Sequence, residues 1–289
     1  MPVRNYENID TTSDVTTTTT LLHEAIPLTG TIVSGTYGNF RSERNIKNYT
    51  HGMFQSVYDY PYLSSSANHI FDITLGYDET STLSGSSNRV MNTKKVNMYN
   101  QFAQILLGYT SSTGDGIRKF ESDLTLDGQG YLKNAFFLTF SRLLTKDQIK
   151  KGTFSVVLGT GSWDTPFGLP GSAKGTLTLG DASASVTGFG TTNTDGGDYG
   201  VLYDINKKDG KGHGLIFYQS GIAIISSSVW KDADSRLTVF NKDPTYGNMT
   251  TTASLSASTI SSSCSAFRHR LYNLSYNNTT EINSKIYFC

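Results

Sequence analysis

The 289-residue chain has no excess charge of either sign: 24 Lys and Arg balance 24 Asp and Glu, for a formal net charge of zero. That removes the basic footprint of a nucleic-acid binder and any long-range pull toward an anionic membrane surface. Charge is also scarce in absolute terms, at 17% of residues, against roughly a quarter in ordinary domains. Ser, Thr, Asn and Gly must therefore supply most of the polar surface. Cysteine is nearly absent, with Cys264 and Cys289 alone, too few for a disulfide framework. The five histidines, His23, His51, His69, His213 and His269, are scattered, and none has further ligands at metal-binding spacing. No metal or other cofactor is expected. No apolar run approaches the ~20 residues that span a bilayer, and Met1-Pro2-Val3-Arg4-Asn5 opens no apolar signal segment. The chain is expected to be made in a cytoplasm and to bind neither membrane nor nucleic acid.

Catalytic patterns are missing as well. Serine is abundant, yet no Gly-x-Ser-x-Gly elbow occurs. Gly210-Lys211-Gly212-His213-Gly214 imitates a phosphate loop, but it joins two β-prone runs and opens no helix whose dipole would hold a phosphate. Asp195 to Asp198 and Asp204 to Gly210 imitate calcium loops, without the regular oxygen positions or the closing Glu. Asp59, Asp72, Asp78, Glu79, Asp164 and Asp198 offer carboxylates for sugar hydrolysis, but that chemistry needs two of them across a cleft, a pairing that spacing does not supply. No catalytic residue is assigned, and the chain is not expected to be an enzyme.

What is present is β-prone sequence rich in aromatics, with 17 Tyr and 15 Phe. Residues 1–20 read as an extended, polar arm, because Thr11-Thr12-Ser13 and Thr16 to Thr20 carry no apolar period to bury. Residues 21–152 read as a mixed α+β domain. Its first strand covers Leu21 to Val33, interrupted by Pro27, and its aromatics cluster at Phe54, Tyr58, Tyr60 and Tyr62. From Met91 to Tyr109, Val96, Tyr99, Phe102, Ala103 and Leu106 recur at three- and four-residue intervals, which predicts one long amphipathic helix packed on a sheet. Thr145-x-x-Gln148 has the form of a capping box, and Lys150-Lys151-Gly152 the form of a helix end, so a short helix is predicted over Lys146 to Lys151.

Residues 153–289 read as an antiparallel β domain. Strands are predicted at Phe154–Leu158, Gly175–Leu179, Ala184–Phe189, Gly200–Ile205, Leu215–Tyr218 and Ile222–Ile225, with short or Gly-rich connections. The fold class is thus mainly β (α+β): antiparallel, sandwich-like sheets with one long helix. The last 23 residues, Phe267 to Cys289, read as a β-hairpin turning at Tyr276 to Thr280. Its second strand, Ile282 to Phe288, is still apolar where the sequence stops. Burying Phe288 is worth roughly 1.5–3 kcal/mol, so this strand is expected to need a cover, from sequence beyond Cys289 or from another subunit. Tyr6 and Ile9 in the arm, Phe54, Tyr58, Tyr60 and Tyr62, and Ile286, Tyr287 and Phe288 are the candidate interface residues.

Several segments together resemble a known family: Leu22 to Ile32, Gly52 to Pro61, the helix from Lys94 to Gly108, and Ser275 to Ser284 with Ile286 to Cys289. They resemble a large virion structural protein of contractile-tailed bacteriophages, especially myoviruses of marine and cyanobacterial hosts. The resemblance implies a structural, non-enzymatic role in the virion, in the tail baseplate first and the neck or fibre attachment second. It implies partners among copies of the chain and neighbouring tail proteins. From another class, an exposed aromatic platform beside paired carboxylates would instead mark a carbohydrate-binding adhesin or depolymerase at a fibre tip.

Overall fold

The computed structural model describes residues 10, 15–27, 43–81, 84, 89–108, 118–120, 132–168, 175–182, 192–194, 196–206, 212–230, 239–240, 245 and 255–287. Thirteen strands occur among them: β1 (Val15–Pro27), β2 (Ile46–Asn48), β3 (Gln55–Tyr58), β4 (His69–Tyr77), β5 (Asn134–Phe140), β6 (Gln148–Ile149), β7 (Ser155–Gly159), β8 (Thr176–Gly180), β9 (Thr192–Thr194), β10 (Gly197–Asp204), β11 (Gly212–Phe217), β12 (Ile222–Ser226) and β13 (Leu271–Tyr287). The helices are α1 (Arg89–Leu107), the single turn α2 (Arg142–Thr145) and α3 (Ile260–Arg270).

All thirteen strands belong to one sheet, in the order β1-β13-β7-β8-β10-β11-β12-β5-β4-β3-β2, with β6 attached to β13 and β9 to β10. The paired strands are antiparallel throughout, so the mainly β, antiparallel class holds. The sheet cannot be flat. From β5 to β13 there are six strand spacings, about 29 Å on a plane at ~4.8 Å each, yet the Phe140 and Tyr276 rings lie 5.1 Å apart. It curls over itself and buries its concave face as one core, where Phe136, Leu138 and Phe140 meet Ile73, Leu75, Val156, Leu158, Ile216, Ile225, Leu274 and Tyr276. The edge of the curl is stitched by Ile149, whose N–H donates to the Tyr218 carbonyl at 2.9 Å.

The convex face of the middle strands is covered by α1. Tyr99, Ala103 and Leu106 pack on Ala135, Phe137, Leu215, Phe217 and Ile224, and the Phe102 and Phe137 rings stack at 4.4 Å. Strands covered on both sides read as unbroken apolar runs instead of alternating ones, and β12, Ile-Ala-Ile-Ile-Ser, is buried at all five positions. The helix lies directly on β4 because Gly76 has no side chain; a Cβ there would sit 2.7 Å from the Tyr99 nitrogen and 3.0 Å from the Lys95 oxygen.

Hydrogen-bonded neighbours cross the boundary expected at 152/153: β5 pairs β12, and β13 pairs β1 and β6. The two expected domains therefore share one sheet and one core. The boundary expected at 20/21 falls inside β1, whose residues 15–20 pair with the end of β13. The helix predicted over Lys146 to Lys151 is not formed. Gln148–Ile149 is strand β6, because Ile149 is drawn fully into the core and its neighbours bond to β13.

The C-terminal hairpin is corrected more deeply. Phe267 to Arg270 close helix α3, and β13 then runs without a turn from Leu271 to Tyr287. Asn277 to Thr280, read as turn residues, lie mid-strand. There the Asn278 side-chain amide donates to the Leu144 carbonyl at 2.8 Å and Thr279 pairs with Gln148. The strand Ile282 to Tyr287 pairs with Thr20 to Val15, not with the chain's own 268–276 segment. The strand predicted over Ala184–Phe189, and residues 28–33 of the first predicted strand, lie outside the described residues.

Candidate assembly site: a two-stranded ribbon and an apolar groove

β13 is a single strand with two environments. In its first half, β7 flanks residues 271–275 and β6 flanks 278–279 on one side, while β1 flanks the other side from Ser275 onward. Beyond Thr279 the flank on the β6 side ends, while the ladder to β1 continues from Leu22↔Thr280 to Val15↔Tyr287. These eight pairs form a two-stranded ribbon about 27 Å long, at ~3.4 Å per residue. Among the described residues neither of its edges is paired further. The other end of the sheet finishes in β2, only three residues long, which is how proteins usually blunt an edge.

The ribbon contains two of the predicted interface residues. Ile286 stands opposite Thr16 and Tyr287 opposite Val15. Phe288, Tyr6 and Ile9 lie outside the described residues, as does Cys289. Cys264 is a free thiol, fully buried, and donates to the Ile73 carbonyl at 3.3 Å.

The four aromatics of the first half divide between the two ends of β3. Phe54 lies with Tyr49 and His51, at 4.8 and 5.0 Å between ring centroids. Tyr58 lies with Tyr62 and His69, at 6.4 and 5.5 Å. Tyr60, Tyr62 and Leu63 are exposed on the loop 59–68. That loop is built on Asp59, whose Oδ1 accepts from the backbone N–H groups of Tyr60 and Asn68 and whose Oδ2 accepts from the Asn68 amide.

Phe54 also borders a shallow groove of about 220 Å3 between α1 and the sheet, lined by Met98, Phe102 and Phe137, with Ile105 exposed at its rim and Asp72 at its polar end. Small-molecule sites typically occupy ~300–1,000 Å3, so the groove is sized for one bulky side chain. Asp72 Oδ1 accepts from Ser56 Oγ at 2.5 Å and lies 2.8 Å from His69 Nε2. Ser, Asp and His are thus adjacent in the wrong order. Nucleophilic catalysis needs the imidazole between hydroxyl and carboxylate, and here the carboxylate is in the middle. Among the described residues no group of three or more His, Cys, Asp or Glu is placed to hold a metal ion, and no helix is long and apolar enough to cross a membrane.

The buried ionic groups are explained by the fold. Lys95 on α1 is fully buried, and its ammonium donates to the carbonyls of Leu255 and Ser258 at 2.6 and 2.7 Å; burial pushes it down to about 8. Arg270, at the end of α3, donates from Nε to Val239 and from Nη1 to Gly159 and Gly161, all backbone carbonyls; burial pushes it down to about 10. Asp181 accepts from the N–H groups of Gly152 and Phe154 and from the Tyr218 hydroxyl, each at 2.8 Å. Burial raises its carboxyl above the usual range, those three donors opposing the shift. Each of these side chains ties loop backbone to the core.

No family model, curated protein or solved structure matches the chain.

Proposed function

We propose that the chain is a structural and assembly component of a tailed-phage virion, seated in the tail baseplate among copies of itself and neighbouring tail proteins, and that it works by surface burial without a catalytic step. The observation that carries this reading is the ribbon. An isolated two-stranded ribbon is marginal in water, and three or more strands, or packing against another element, are needed for independent stability. A chain whose β1–β13 ladder runs for eight pairs with no further strand beside it among the described residues gains most where a neighbour supplies the next strand, which is recognition by β-augmentation. The buried ionic side chains support the same reading, since Lys95, Arg270 and Asp181 are fully buried and bond to backbone. The resemblance of Leu22 to Ile32, Gly52 to Pro61 and Ser275 to Ser284 to contractile-tail proteins supports a place in the tail, the baseplate first and the neck or fibre attachment second.

Mass spectrometry of purified tailed particles, followed by cryo-electron microscopy, tests the proposal. The expected result is the chain at a fixed copy number in the baseplate, with its ribbon paired to a neighbouring subunit. Absence from the particles, or a ribbon left in solvent in the assembled tail, would overturn it. A second reading, a carbohydrate-binding adhesin or depolymerase, is favoured by the exposed Tyr60 and Tyr62, although Asp59 beside them is committed to its own loop. Specific signal on a glycan array, lost in Tyr60→Ala and Tyr62→Ala, would decide for it.

A further inference from the structure

We infer that the edge of β13 from Thr280 to Tyr287 is a homotypic site: two copies of this chain pair β13 with β13, antiparallel, about a two-fold axis through Asn283. The result is a four-stranded sheet with the two β1 strands outermost.

Three observations lead there. The first is continuity. On this side of β13 the body already supplies antiparallel neighbours, β7 and then β6, and the slot is vacant from Thr280 onward among the described residues. A two-fold axis brings the second copy's β13 into that slot in the same antiparallel sense, and a two-fold contact is the commonest way that copies of one chain associate.

The second is register. With the axis at Asn283, Glu281 stands opposite Lys285 of the second copy, and Lys285 opposite its Glu281; Ile282 faces Ser284, and Thr280 faces Ile286. The ladder then covers Thr280 to Ile286 and stops where Thr279 is already paired with Gln148. Moving the axis by one residue, to Ile282 or Ser284, sets Glu281 opposite Asn283 or Tyr287 and loses both charge pairs. Opposite charges directly across an antiparallel ladder are favourable, and like charges there unfavourable, so one alignment is selected.

The third is the contrast with the other edge. β1 offers Thr16 to Thr20, five identical residues, and a self-pairing there gains nothing from one register over the next. The partner that fits the β13 edge is therefore a second copy of the chain, joined at a defined alignment. This deepens the assembly reading and rests on the ribbon as its binding element, but it does not depend on the ribbon's place in a virion.

Sedimentation velocity on the full chain tests it. The wild type should dimerise. Glu281→Lys and Lys285→Glu should each weaken the dimer about tenfold, since either change turns two attractive pairs into two repulsive ones. The double variant should recover the wild-type affinity. An equimolar mixture of the two single variants should form a heterodimer, because every pair across the axis is again of opposite charge; this arm also shows that both variants are folded. A monomeric wild type, single variants that dimerise like the wild type, or a mixture that gains nothing would each overturn the pairing. Failure here leaves the virion reading standing, with a different subunit supplying the strand. Absence of the chain from particles would remove that reading and leave the dimer intact.

Discussion

The same strand, β13, is secured in two unlike ways along its length. In the body, Leu274 and Tyr276 are buried in a core that the sheet closes over itself, and the strand has neighbours on both flanks. In the ribbon, one flank is β1 and the other has no paired strand among the described residues. A ladder in the body is backed by apolar burial worth ~25 cal/mol per Å2. The backbone pairs of the ribbon are themselves worth a net of only about 0.5–1.5 kcal/mol each, against ~1–2 kcal/mol of backbone entropy per residue ordered. The comparison teaches that hydrogen-bonded continuity does not carry stability outward from a core. The ribbon must gain its stability from what it meets.

The comparison can be broken most severely in the body. Phe136 is fully buried, with the Phe267 and Trp230 rings at 4.9 and 5.7 Å. Phe136→Ala should cost about 3–5 kcal/mol in urea unfolding; a cost under ~1 kcal/mol would mean that this core is not what closes the curl. Next comes Lys95. Its depressed value of about 8, against 10.5, means that the unfolded chain binds more protons between those limits. Stability should therefore rise with pH through that window, by up to about 3 kcal/mol. The Cys264 thiol and the Tyr77 and Tyr218 hydroxyls, all raised by burial, pull the other way above about pH 9 and pH 10 respectively. Urea midpoints from about pH 7.5 to 9 should show the rise in the wild type and a flat response in Lys95→Met.

A smaller effect is expected where α1 touches β4. Gly76→Ala should cost about 1–3 kcal/mol, because the atoms met are helix backbone and cannot turn aside; an unchanged midpoint would show that the helix is free to shift. In the ribbon, Thr18→Ala should change global stability by less than ~0.5 kcal/mol. Amides of residues 15–22 and 280–287 in the unassociated chain should exchange with solvent well before those of β4, β5 and β12. Equal protection in the two regions would erase the distinction.

How much of this was legible in sequence follows the same division. The body's elements announced themselves where local pattern and burial agree. The 3.6-residue period of Tyr99, Phe102, Ala103 and Leu106 marked α1, and β7, β8, β10, β11 and β12 stood out as short apolar runs between glycines. Elements decided by distant partners were misread. Asn278 and Thr279 look like turn residues until α2 and β6 arrive to bond them. Ile149 sits in a helix-like segment until the core claims it. Helix α3 went unseen although its signals were present: Thr259 as N-cap, accepting from the Ser262 N–H, then Ile260, Cys264 and Phe267 on one face, with Arg268, His269 and Arg270 closing the last turn. A serine-rich composition hid the period. At the site, the apolar Ile286 and Tyr287 signalled a strand, and the structure pairs them with Thr16 and Val15 of β1. The neighbour itself, β1, was hidden in a threonine run that carries no apolar alternation to identify a partner.

The uninterrupted course of β13 has a mechanical consequence. Its ladder bonds to β1, β6 and β7 run perpendicular to the strand, so tension applied along the ribbon loads them side by side in shear. A pull that separates the ribbon's two tips, Val15 and Tyr287, instead peels the pairs one at a time. A neighbour holding the ribbon lengthwise would thus deliver its force through one strand to the core and to α3, whereas the same force across the tip would unzip it.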